Sequence, residues 1–201
     1  MGGLALAVVG CVSPGQTIPL SATAASVPPP EKLRSPLRVA VVPFEDIRAD
    51  KASIGRYQHY MESVVDRLVP VQESAADQIT TFVVDYLKLA GFEVTRVPSV
   101  EAVAPGSADV VLTGQIEAYW SEAVARFFRT ELKATNRLVI KLANAADSSK
   151  VRATVGGEGT STEVFFDLAD LEQLNSESLG QSLARFLADV TVVNQSLKPK
   201  G

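Results

Sequence analysis

The stretch Arg126-Phe127-Phe128-Arg129-Thr130-Glu131-Leu132-Lys133-Ala134-Thr135-Asn136-Arg137-Leu138-Val139-Ile140-Lys141-Leu142 decides how this chain is read. Phe128, Leu132, Ala134, Leu138, Ile140 and Leu142 fall on one face of an alternating pattern, and mostly charged residues fall on the other. Successive side chains of a strand point to opposite sides, so the pattern predicts a long strand with one face on a core and one in water. Upstream, Val110 to Trp120 alternates too, placing Val110, Leu112, Gly114, Ile116, Ala118 and Trp120 together. Downstream, Asn144 to Lys150 is a turn of small polar residues, and Val151 to Phe166 predicts a third strand that bulges or bends at Gly156-Gly157. These three strands make a meander.

Two helices flank it. Ser74-Ala75-Ala76-Asp77 has the form of a capping box, and Ala75, Ile79, Phe82, Val83, Tyr86, Leu87 and Ala90 then recur at helical spacing before Gly91. Asp167 caps a second helix carrying Leu168, Leu171, Leu174, Leu183, Phe186, Leu187 and Val190. The β-branched run from Leu37 to Phe44 predicts a buried first strand, and Phe92 to Val97 a short one. Between Arg56 and Val69, the residues Tyr57, Tyr60, Met61, Val64, Val65 and Leu68 have helical spacing, with Pro70 to end the segment. The expected class is α+β: a mixed or antiparallel sheet with a long three-strand meander, covered on one face by two long helices.

Composition sets limits on function. The 201 residues are 46% hydrophobic and 21% charged, with a net charge of −4. Those are ordinary values for a globular chain, and no basic cluster suits a phosphate backbone, so nucleic acid is not an expected partner. The apolar run from Leu4 to Gly10 is far shorter than the ~20 residues of a membrane-spanning helix. It suits the core of a secretory signal. Its ending, Val8-Val9-Gly10-Cys11, resembles the lipobox of bacterial lipoproteins, in which the cysteine is diacylated, becomes residue one after cleavage, and is then N-acylated. On that likeness residues 1–10 are a signal peptide and Cys11 carries lipid that holds the chain to a membrane.

Behind Cys11, residues 11–36 are rich in Ser, Ala, Thr and Pro, with Pro28-Pro29-Pro30 among them, and lack apolar periodicity. This composition predicts a flexible tether able to hold the domain up to roughly 75 Å from the membrane. Residues 37–193 are then one domain, and 194–201 a disordered tail.

Asp46-Ile47-Arg48 followed by Ile54-Gly55, then the helix and the meander, resembles the YajG-type family of uncharacterised bacterial lipoproteins. The resemblance spans Val39 to Val190. It implies a domain on the outer membrane that faces the periplasm, with no established enzymatic activity. Val12-Ser13 agrees, because Asp after the cysteine is the usual signal for inner-membrane retention. A weaker likeness is to the small α/β domains of lipoproteins that assemble secretion pores, which would make the chain a subunit of a secretion or transport assembly.

Chemistry-bearing patterns are sparse. His59 is the lone histidine and Cys11 the lone cysteine, so neither a zinc site nor a disulfide framework is expected. A Gly-x-Ser-x-Gly nucleophile turn is missing, and Gly156-Gly157-Glu158-Gly159 lacks the strand-loop-helix context of a phosphate cradle. Glu45, Asp46 and Asp50 share a loop, but their spacing matches no calcium loop. Arg129, Lys133, Arg137 and Lys141 form a spaced basic row, read as a solvated face paired with neighbours such as Glu117.

The expectation is therefore a non-enzymatic lipoprotein without metal or cofactor, docking onto another envelope protein or onto its own copies. The second expectation is a binder of lipid or small ligands in a cleft between helices and sheet. The expected working surface runs from Asp46 to Met61: Asp46 and Arg48 brace the loop, Gly55 after Ile54 lets the chain turn sharply, and Tyr57, Tyr60 and Met61 supply contact area.

Overall fold

The computed structural model describes residues 15–32, 36–62 and 64–200. Cys11 and the signal peptide expected over 1–10 lie outside the described residues. In chain order the elements are β1 (Thr17–Leu20), β2 (Arg38–Val41), β3 (Glu45–Asp46), β4 (Gly55–Gln58), β5 (Val65–Pro70) and α1 (Ala75–Leu89). There follow β6 (Glu93–Arg96), β7 (Val110–Arg126), β8 (Arg129–Asn144), β9 (Lys150–Glu163), α2 (Leu168–Ala188), β10 (Val190–Val193) and β11 (Ser196–Pro199).

The antiparallel meander is present. β7 pairs with β8 from Val110↔Asn144 to Arg126↔Arg129, and β8 pairs with β9 from Thr130↔Glu163 to Ala143↔Lys150. Along the other edge of β7 run β2, β3 and β4 in series, all parallel to it, like one strand interrupted twice. β6 lies parallel to β2, β5 antiparallel to β4, and β1 parallel to β5, while β10 and β11 form a separate hairpin. The fold is α+β with two long helices on one face of a mixed sheet.

Both helix starts are capped by the expected residues. Ser74 Oγ accepts from the Asp77 backbone N–H at 3.0 Å and donates to Asp77 Oδ2 at 2.7 Å, while Asp167 accepts from the Ala169 N–H at 2.9 Å. Gly91, at φ 89°, takes the left-handed position that ends α1. Ile79, Phe82 and Leu87 of α1 and Leu171, Leu179, Leu183 and Phe186 of α2 are buried with Leu112, Ile116, Leu132, Leu138 and Ile140 of the sheet. Burying each such side chain contributes about 1.5–3 kcal/mol, so the face the helices cover is where most of the stability lies.

Several expectations are corrected. In β7 the register shifts between Ile116 and Ala118, so Glu117 is an extra residue and the inward set passes from Val110, Leu112, Gly114 and Ile116 to Tyr119, Ser121 and Ala123. Ala118 and Trp120 therefore leave the core face. The expected bulge at Gly156-Gly157 is absent, because both residues keep regular register opposite Arg137 and Asn136. Phe128 is not on the core face of β8 but in the two-residue turn before it.

Arg56 to Val69 is a hairpin, not a helix. β4 inserts between β5 and β7, which satisfies its backbone on both edges, and Asp66 and Leu68 alternate inward on β5. An isolated short helix is marginal in water, whereas this backbone gains two strand partners and β-branched Val65 and Val69 suit the pleat.

The tether expected over 11–36 is also revised. Within it, Thr17–Leu20 is a strand and Ala24–Ser26 a 3-10 turn, with Leu20, Ala24 and Val27 buried in the core. The segment packs against α1 and α2. Side chains of α2 take up its polar backbone: Glu172 accepts from the Ser21 N–H at 2.9 Å, Ser176 from the Thr23 N–H at 3.1 Å, and Asn175 donates to the Ser21 carbonyl at 3.1 Å. Small residues read as a linker because they lack periodicity, yet they are what fits a narrow groove. The tail expected over 194–201 is likewise ordered through Pro199, with Leu197 buried and its N–H and carbonyl bonded to Asn144.

Candidate functional site

β4, β7 and β9 end, and β5 and β8 begin, at one end of the sheet. Three loops therefore meet there: the turn after Gln58, the Phe127-Phe128 turn, and the stretch from Val164 to Phe166 that leads into α2. Tyr60, Met61, Phe127, Phe128, Val164 and Phe165 are all exposed at this tip, Met61 by 87%, Phe128 by 79% and Phe165 by 82%. Single exposed apolar residues are ordinary, but a contiguous group of large ones marks a contact surface. The rings also associate: Phe127 and Phe128 have centroids 4.0 Å apart, and Tyr60 lies 6.1 Å from Phe127.

Backbone conformation strengthens the point. Met61 (φ 57°) and Phe128 (φ 62°) adopt the left-handed region at the two turn tips. Asn or Gly would sit there at less conformational cost and would favour water. Both turns hold large apolar side chains instead.

Of the sequence-predicted residues, Tyr60 and Met61 belong to this tip, and Tyr57 supports it from beneath. The Tyr57 ring stacks on Phe166 at 4.2 Å and touches His59 at 4.3 Å. His59 Nε2 lies 2.8 Å from Asp66 Oδ2, and Asp66 also accepts from the Gln16 N–H at 2.7 Å. Burial pushes the Asp66 carboxyl up, but the His59 and Gln16 hydrogen bonds outweigh it and hold the group below the usual carboxylate range.

Asp46, Arg48, Ile54 and Gly55 lie away from the tip. Ile54 and Arg48 are buried. Arg48 grips Asp46 in bidentate fashion, Nε to Oδ1 at 2.9 Å and Nη2 to Oδ2 at 2.8 Å, and its Nη1 donates to the carbonyls of Ser53 at 2.9 Å and Tyr119 at 3.1 Å. Burial raises the Asp46 pKa, and the hydrogen bonds and charge of Arg48 more than reverse that. Gly55 makes no turn. It sits in β4 where a Cβ would lie 1.9 Å from the Ser121 carbonyl oxygen, so its lack of a side chain permits close strand pairing. The group is an internal brace that joins β3 and the loop before β4 to β7.

A second polar feature escaped sequence reading. The buried Tyr119 hydroxyl accepts from Gln78 Nε2 of α1 at 2.7 Å and Asn175 Nδ2 of α2 at 2.8 Å, tying both helices to β7. Burial pushes this hydroxyl up to about 12, against the pull of the two amides. Among the described residues every buried side-chain nitrogen or oxygen has a partner, and no three His, Cys, Asp or Glu side chains gather as a metal site. Three members of the basic row are paired: Arg129 with Glu131 at 2.9 Å, Lys133 with Glu158 at 2.7 Å and Arg137 with Glu117 at 2.9 Å. No helix of the described residues is long and apolar enough to cross a membrane.

The tip residues Phe127, Phe128, Val164 and Phe165 were missed by sequence reasoning. Their signal was positional: an adjacent Phe pair between two alternating runs, and an apolar pair just before the Asp167 cap.

At the opposite end of the molecule a cleft of about 570 Å³ opens between the ends of α1 and α2 and the β10–β11 hairpin, lined by Tyr86, Phe92, Leu187, Val192 and Leu197 among others.

No family model matches the chain, and no curated protein does. Solved structures share its shape. A Xanthomonas campestris protein of the DUF330 family superposes with a TM-score of 0.51 at 15% identity, over 85% of this chain and 91% of that one. At that identity the likeness shows a common fold. The PelC dodecamer of Paraburkholderia phytofirmans (TM-score 0.44, 16% identity, 79% of this chain and 96% of that one) is looser. A Neisseria meningitidis lipoprotein (TM-score 0.37, 14% identity, 76% of this chain and 99% of that one) is looser still, and both are too distant to support an inference. The YajG-type likeness of Asp46-Ile47-Arg48 and Ile54-Gly55 finds no match at family level.

Proposed function

We propose that this chain is a lipid-anchored lipoprotein of the bacterial envelope, on the outer membrane and facing the periplasm, that works by docking and not by catalysis. The observation that carries the docking half is the apolar tip: six large side chains exposed on three adjacent loops of an otherwise well-packed domain. The anchor half rests on Val8-Val9-Gly10-Cys11.

Cys11→Ser should move the chain from the membrane to the soluble fraction of fractionated cells, since each buried methylene of an acyl chain contributes ~0.8 kcal/mol of membrane affinity. A wild-type chain whose Cys11 thiol is free refutes the anchor. Photo-crosslinkers at Tyr60 and Phe165 test the docking half; adducts formed equally by a crosslinker in the Asn144–Lys150 turn refute it.

The cleft between the helix ends favours a second reading, a binder of lipid or small apolar ligands, because its lining is largely aliphatic and aromatic. Native mass spectrometry of the purified chain decides this: a bound lipid supports it, and a ligand-free chain that ignores added fatty acid removes it.

A further inference from the structure

We infer that the apolar tip is a membrane-contacting surface, seated in the headgroup layer of the bilayer to which Cys11 is anchored. This rests on the lipid-anchor reading above and names the partner of the same tip. Two independent observations converge on it.

The first is where the chain enters the fold. Gln16 donates its N–H to Asp66 and accepts from the Arg67 N–H at 2.8 Å, and Thr17 pairs with Arg67, so the N-terminal segment joins the sheet beside the start of β5. β5 starts next to the turn after Gln58, at the tip. Four peptide units separate Cys11 from Gly15, and they reach at most ~14 Å. The structured segment 17–27 has removed the long tether, so lipid on Cys11 would hold this end of the sheet against the membrane. β7 is 17 residues long, which places the other end roughly 55 Å away.

The second is the character of the tip. β1, β5, β4, β7, β8 and β9 lie side by side there, a row about 24 Å wide at ordinary strand spacing. Along it stand Met61, Phe127, Phe128, Val164 and Phe165, with Tyr60 among them. Arg126 and Arg129 flank the phenylalanine turn, half-exposed and sharing the one carboxylate of Glu131 at 3.4 and 2.9 Å, so the trio keeps a net positive charge. Aromatic rings bordered by arginines match the interface of a bilayer, where rings sit at headgroup level and long cationic side chains reach lipid phosphates. A protein partner would equally bury the rings, but only a bilayer is brought to this end by the chain's own connectivity.

The test uses the full-length lipidated chain in vesicles of phosphatidylethanolamine and phosphatidylglycerol. With Cys11 acylated, Phe128→Cys or Phe165→Cys supplies the one free thiol for a polarity-sensitive fluorophore, and Ser148→Cys at the far turn is the control. Brominated acyl chains should quench the labels at 128 and 165 and leave that at 148 bright. In the unlipidated Cys11→Ser chain, Phe127→Ser with Phe128→Ser should lower vesicle affinity roughly tenfold per ring. Both rings are exposed, so the thermal midpoint should hold, and Met61→Ser gives a second, milder variant.

Tip labels open to an aqueous quencher on a vesicle-bound chain overturn the inference and leave the anchor standing. Labels shielded from both quenchers, on a chain that sediments as an oligomer, overturn it in favour of contact between copies. A free Cys11 thiol overturns the anchor reading; vesicle binding of that chain that still depends on Phe127 and Phe128 supports the inference, and absence of binding overturns it.

Discussion

A Cβ atom on Gly157 of β9 would lie 1.8 Å from the carbonyl oxygen of Ser178 in α2, so the helix rests directly on the strand's backbone. That approach lets Asn136 of β8 donate to Ser178 Oγ at 3.2 Å and accept from Ser182 at 2.5 Å, within a buried seam. Where sequence alone reads the Gly-Gly pair as a bulge, the glycine instead makes room for a helix.

Gly157→Ala should therefore destabilise the domain by about 1–3 kcal/mol, the usual range for overpacking, because α2 must move off the sheet. At Gly156 a Cβ meets only the Asn136 carbonyl oxygen, at 3.1 Å, so Gly156→Ala should cost less. Urea unfolding of the two variants measures the difference, and equal costs would contradict close helix contact at Gly157.

Removing Arg48 tests the internal brace. Arg48→Gln removes the guanidinium from Asp46 and from two carbonyls, leaving Asp46 the residue-48 backbone N–H at 3.1 Å, and should cost about 2–4 kcal/mol near neutral pH. Asp46 is held below its ordinary value of 3.8, so the stability it contributes is complete above that value and is lost as pH falls below it. The gap between wild type and Arg48→Gln should accordingly narrow on acidification below about pH 4. A gap independent of pH would show that the guanidinium acts through packing alone.

Leu20 tests whether the N-terminal segment belongs to the fold. Its side chain is fully buried in the core, so Leu20→Ala should cost about 2–5 kcal/mol, as for other large-to-small core changes. An unchanged denaturation midpoint would return the segment to the status of a tether and remove the geometric link between Cys11 and the tip.

Much of the architecture is readable from residue order. The alternation from Leu132 to Leu142 and the caps at Ser74 and Asp167 are local signals, and local signals survive folding. The candidate site was half readable. Tyr60 and Met61 were picked out by composition, but Phe128 matched the inward phase of β8 and so looked like core. Its phase is right, yet it precedes the first paired residue, Arg129, and a turn has no inward face.

The sequence by itself determined the α+β class, the long meander, the positions of both helices and the lipobox-like ending at Cys11, because periodicity, capping and short motifs act within a few residues. Tertiary structure alone decided that 55–70 is a hairpin, that Glu117 is an inserted residue, that the Ala- and Ser-rich segment fills a groove, and that three loops far apart in sequence share one end of the sheet. Each of these depends on which element lies beside which: β4 needs β7 as its neighbour, the Ala24–Ser26 turn needs both helices beside it, and the tip exists only where β4, β7 and β9 end together. Such long-range pairings leave no period in the chain, so only the folded molecule shows them.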